Sequence, residues 1–104
     1  MDSRRTRYLI RVLLDPGGDI GVRDDAAMDL YESDDPQARQ ALLTVASDGL
    51  TPCIVLASAG ESLGQIATRN GLFLSERERA GLVGDARHEY DTASGAVTDG
   101  HGGC

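Results

Sequence analysis

Apolar residues recur along this chain three and four positions apart, in segments divided by Asp, Pro and Gly, which is the spacing of helices packed on one side. Residues 4–14 put Tyr8, Leu9, Val12 and Leu13 on one face, and Asp15-Pro16-Gly17-Gly18 ends the segment. Residues 21–32 set Val22, Ala26, Ala27, Leu30 and Tyr31 on a second helical stripe. Asp34-Asp35-Pro36 opens a third helix: an Asp supplies the N-cap, and a first-turn proline lacks only an N–H that would have had no helical partner. This helix carries Ala38, Ala41, Leu42, Val45 and Ala46 and stops near Asp48-Gly49. Residues 53–68 carry Val55, Leu56, Ala59, Leu63 and Ile66 and close on Asn70-Gly71, a left-handed C-terminal signal. Ser75, followed three residues later by Glu78, makes a capping box for a last helix holding Ala80, Leu82, Val83 and Ala86. The pattern predicts an all-α fold: about five antiparallel helices in a two-layer, right-handed stack spanning residues 1–88. Residues 89–104 read as a flexible, acidic, Gly-rich tail.

The segments are related to one another. A shift of 33 positions aligns Leu9 with Leu42, Ile10 with Leu43, Val12 with Val45 and Asp15 with Asp48. It goes on to align Ile20 with Cys53, Val22 with Val55, Ala26 with Ala59 and Leu30 with Leu63. Apolar positions meet apolar ones, small meet small, and the loop aspartates coincide. Such a period marks a unit that cannot bury its apolar stripe alone and gains a core by stacking on its neighbour.

Val22-Arg23, Ala26-Ala27, Leu30, Asp35-Pro36, Ala41-Leu42-Leu43 and Asp48 together resemble one HEAT repeat of the short bacterial type, also seen in phycobilisome-lyase-like proteins. Val55 through Ile66 resembles the first helix of a second copy, with Leu56 where that family has arginine. The last helix follows a longer loop at residues 70–74, so the outer units resemble atypical caps. The resemblance covers roughly residues 4–86 and implies an α-α superhelix used for protein–protein interaction and scaffolding. A second resemblance competes with it. Asp48-Gly49-Leu50-Thr51-Pro52 with Gly60 is similar to the start of an ankyrin repeat, whose period is also 33. Cys53-Ile54 stands where leucine-histidine is usual there, and the first unit has no Thr-Pro, so the HEAT-like reading is preferred.

Composition narrows the partners. Apolar residues make up 40% of the chain, with no Trp, one Phe and three Tyr, so the core is built from Leu, Val, Ile and Ala. The formal net charge of −7 repels phosphate backbones and argues against nucleic acid. No apolar run reaches the ~18 residues that span a bilayer. Arg11 interrupts the apolar run 8–14, which leaves no secretory signal and predicts a cytoplasmic protein without a membrane partner. A basic protein partner is the complementary choice, and the end units of so short a stack predict capping by that partner or by a second copy. Asp24, Asp25, Tyr31, Glu32, Glu61 and Arg69 are the candidate protein-binding residues. The carboxylates around Asp24 to Asp35 lack the Gly-centred alternation of a calcium loop and serve as well as a solvated face with helix caps.

No constellation argues for an enzyme, a metal or a cofactor. His88 neighbours Glu89 on a helix and reads as a surface residue, while His101 lies in the Gly-rich tail. Gly60-Glu61-Ser62-Leu63-Gly64 sits mid-helix without a preceding strand, so it is not a nucleophile elbow. Glu61 and Ser62 read as exposed polar positions, and Gly60 and Gly64 as sites of close helix approach. Leu74 through Arg79 is similar to the opening of a helix-turn-helix, but no Arg- or Lys-rich recognition helix follows; Glu76 to Arg79 read as a solvated, ion-paired face. Two cysteines make no disulfide framework, and Cys53, in an apolar stretch, reads as a small core residue. Cys104 follows two glycines, which suggests the alternative that the helical part is a recognition domain for an enzyme that modifies or conjugates this tail.

Overall fold

Aspartates set the starting points of the first three helices. In the computed structural model, which describes residues 1–95, α1 (Ser3–Leu14), α2 (Ile20–Asp29) and α3 (Pro36–Ala46) each follow an Asp. Its carboxylate accepts a first-turn N–H: Asp2 from Arg5, Asp19 from Val22, Asp35 from Gln37. Each carboxylate satisfies an otherwise orphaned donor and sits at the positive end of the helix dipole. A 3-10 turn, Leu30–Glu32, extends α2. α4 (Cys53–Asn70) ends on Gly71, whose φ of 69° suits a residue without Cβ. The Ser75/Glu78 capping box starts α5 (Glu76–Ala80), and α6 (Asp85–Ala93) follows. The fold is all-α, with no strand among the described residues.

These helices pack as stacked pairs. α1 lies on α2 and α3 on α4; α1 also stacks on α3, and α2 on α4. α6 continues the α2–α4 row and makes the most extensive helix contact in the fold, against α4. α5 joins the α1–α3 row through Arg39 of α3, which donates to Glu78 at 3.1 Å. The two rows enclose a core centred on Leu13, Leu30, Leu42, Val55 and Leu63, each with almost no exposed surface. Gly60 and Gly64 let α6 approach: a Cβ on Gly60 would stand 2.2 Å from the Ala86 carbonyl oxygen, and one on Gly64 2.5 Å from Ala93 Cβ.

The 33-residue period is present in three dimensions. Asp2 and Asp35, one period apart, both cap helices. Asp15 Oδ1 accepts from Gly17 N at 3.0 Å, and Asp48 Oδ1 accepts from Leu50 N at 2.9 Å. The two turns also share their backbone bonds: Asp15 N to Val12 O and Asp48 N to Val45 O, then Gly18 N to Asp15 O and Thr51 N to Asp48 O. Leu9 and Leu42, Ala26 and Ala59, Leu30 and Leu63 are buried pair by pair.

Several expectations need correcting. The expected last helix is two helices. Gly84, at φ 51° and ψ −134°, leaves the helical region, and Val83 N–H donates across the fold to Ala46 O at 3.0 Å. α6 then runs to Ala93 with Tyr90 and Asp91 buried, so the expected boundary at residue 88 falls inside a packed helix. Tyr8, placed on the core face of α1, is exposed, and Thr6 takes the buried position, hydrogen-bonded to Ser33. Val22 is half exposed, while Arg23 is buried with its Nε donating to Leu13 O. Cys53 stands exposed at the start of α4, outside the core, and is not a free thiol. Ser62, expected on the surface, is buried and donates to Ala27 O.

The close α4–α6 approach leaves no room for a methyl group. Gly60→Ala is expected to destabilise the fold by about 1–3 kcal/mol in urea unfolding, as overpacking does. Gly49→Ala, in open space, is expected to be close to neutral.

Candidate functional site

Two serines fasten α4 to α2. Ser58 Oγ donates to Asp24 Oδ1 and Ser62 Oγ to the Ala27 carbonyl, both at 2.5 Å. Alongside this seam runs a recess of about 150 Å3 lined by Met28, Tyr31, Ser58, Glu61, Ser62 and Gln65. Met28 is half exposed and Tyr31 half buried, so they form an apolar wall that water still reaches. Glu61 is exposed on the opposite rim, with Gln65 Nε2 3.4 Å from its Oε1. An apolar wall facing a carboxylate is chemistry suited to a cation on an aliphatic stem.

A second cavity, of about 410 Å3, lies where the start of α3 meets the end of α4. Its walls include Pro36, Ile66 and Leu72, with Asp34, Arg39 and Asn70 as polar members. Asp34 accepts from Asn70 at 3.1 Å and from Arg69 at 3.3 Å. These contacts, the Asn70 hydrogen bond first, hold its carboxyl below the ordinary aspartate value. Arg69 also donates to the Ser33 carbonyl, so it ties the end of α4 to the turn before α3.

Ion pairs secure α5, which has no buried residue of its own. Glu78 takes two hydrogen bonds from Arg39 and one from the Ser75 backbone N–H, and these hold its carboxyl below the ordinary glutamate value. Arg79 makes a two-pronged pair with Asp91 of α6, whose hydrogen bonds and charge push the guanidinium value up. Asp91 is buried, so the pair is shielded on one side.

Of the residues singled out by sequence, Asp24, Tyr31 and Glu61 come together at the α2–α4 recess. Arg69 stands apart, bonded to Asp34 beside the larger cavity, and Asp25 and Glu32 are exposed in neither lining. Cys104 and His101 lie outside the described residues. His88, read as a surface residue, is half buried, with Nδ1 enclosed and no hydrogen-bond partner for it among the described residues. Met28, Ser58 and Gln65 were missed; two serines four apart on an Ala/Leu-rich helix were the available signal for the seam. Among the described residues, no helix is long and apolar enough to cross a membrane. Comparison with family models, curated proteins and solved structures finds no match to the chain.

The Glu78 bonds carry a pH signature. A carboxyl whose folded value is lowered contributes its full stability above the ordinary glutamate range and loses it as pH falls through the folded value. Glu78→Gln is therefore expected to cost about 0.5–1 kcal/mol at neutral pH, the scale of a partly exposed pair. The gap to the unsubstituted chain is expected to narrow as urea unfolding is repeated below the ordinary glutamate value, and to close below the lower value that Glu78 has in the fold.

Proposed function

We propose that the chain is a non-catalytic, cytoplasmic protein-binding module, in which the α2–α4 recess receives a basic side chain from a partner segment. The lining carries this reading: Met28 and Tyr31 offer apolar surface and Glu61 an anionic rim within one recess about the size of a single long side chain. An arginine fits it best. Its stem lies along Met28, its guanidinium plane stacks on Tyr31, and its charge meets Glu61. Asp24, held by Ser58 at the base of the seam, adds negative charge behind the site. Each contact is worth on the order of 0.5–1 kcal/mol, so one recess anchors a segment weakly and neighbouring contacts supply the rest.

The resemblance to short bacterial HEAT repeats supports the same use, since stacked helical pairs keep one row of helices free for an extended partner. Acidic composition fits a basic partner and opposes a polyanionic one.

A short peptide with one arginine among neutral residues, titrated into the labelled chain, is expected to shift amide resonances around Met28, Tyr31, Glu61 and Gln65. Glu61→Arg is expected to weaken that binding by about tenfold, one close charge contact. Shifts spread evenly over all acidic residues, unchanged by Glu61→Arg, would contradict the reading.

A further inference from the structure

The 33-residue period shows which face of α2 a preceding layer would occupy. On α4, the Val55–Ser58–Ser62 face meets α2: both serines bond to it, and Val55 is fully buried. One period earlier, the same helix positions on α2 hold Val22, Asp25 and Asp29, and there Val22 is 49% exposed where Val55 is buried. Beside this strip lies the outer face of α1. Arg4, Arg7, Tyr8 and Arg11 follow helical spacing, are all exposed, and lie opposite the buried Thr6, Leu9 and Leu13. Arg5 pairs with Asp29 at 3.2 Å and joins the two strips, whereas Arg4, Arg7 and Arg11 have no ion pair among the described residues.

This outer face therefore sets a cationic strip on α1 beside Asp25 and Asp29 of α2 and the exposed Glu32, three residues on in the 3-10 turn, with Tyr8 and Val22 as exposed apolar surface. We propose that it is a homodimer interface, in which Arg4, Arg7 and Arg11 of one copy meet Asp25 and Glu32 of the other. A two-fold axis lying in the face, between the two helices and along them, sets α1 of each copy over α2 of the other. Both strips are then matched in one isologous contact. Charge complementarity selects this occupant. Four of the chain's ten basic residues stand within residues 1–14, yet the net charge is −7. A polyanion drawn to the arginines meets a repelling field from the rest of the chain. A second copy brings its own anionic strip to the arginines and its arginines to the acids, and the same contact covers Tyr8 and Val22. The interface is on a different face from the α2–α4 recess and does not depend on it.

The test is sedimentation equilibrium of the full chain and two charge-reversed variants, Arg7→Glu/Arg11→Glu and Asp25→Arg/Glu32→Arg. All four positions are exposed, and circular dichroism confirms that helix content is kept. The unsubstituted chain is expected to dimerise at low salt and to weaken about tenfold or more in high salt. Each variant alone sets like charges face to face and is expected to be monomeric. Their equimolar mixture restores opposite charges at both strips and is expected to form a heterodimer. An unsubstituted chain that stays monomeric at the highest concentration reached, or a mixture that stays monomeric, overturns the proposal. So does a monomer that binds heparin through Arg7 and Arg11, which would give the strip to a polyanion.

Discussion

A helix can be packed on three sides only if its neighbours' backbones come close, and that needs small side chains where they cross. α4 meets this condition on two of its faces. Gly60 and Gly64 lie against the α6 backbone, while Ser58 and Ser62 bond across to α2. Between them, Val55, Leu63 and Ile66 fill the core shared with α3 and α2. The glycines cost helix propensity, roughly 1 kcal/mol each, and the α6 contact offsets it. With α4 fixed in this way, the row α2–α4–α6 exists, and so does the recess along its α2–α4 seam.

Charge does a different job from the one its abundance suggests. Many of the chain's carboxylates are engaged locally: Asp2, Asp19 and Asp35 cap helices, Asp15 and Asp48 close turns, and Asp34, Glu78 and Asp91 pair with arginines. This internal use thins the acidic surface that composition alone would paint. Among the charges left exposed, Arg4, Arg7 and Arg11 share the outer side of α1, and Asp25 lies on the outer side of α2. α5 is the extreme case of structural charge, since ion pairs and a capping box hold it without a buried residue.

Helix starts, the αL stop at Gly71, the capping box and the 33-residue period were legible because each depends on residues close in sequence or on a repeated pattern. What failed depends on position within the stack. Tyr8 and Val22 fit their helical stripes, yet both are about half exposed, whereas Val55, one period after Val22, is buried. The last apolar stripe reads smoothly through Leu82 and Val83, and only the bond from Val83 to Ala46 and the backbone angle at Gly84 show the helix stopping there. Tyr90 and Asp91 read as the start of a polar tail because Asp91 gives no hint of its Arg79 partner twelve residues earlier. Three candidate binding residues met at one recess, but Met28 and Gln65 beside them carried no signal of their own.

Native-state amide hydrogen exchange tests most directly whether α4 organises the fold. If it does, amides from Val55 to Ala67 exchange only through global unfolding and are the slowest in the chain. Those of α5, held by ion pairs at the surface, then open locally and exchange far faster. Exchange in α4 as fast as in α5, or slowest protection confined to α1, would contradict the account.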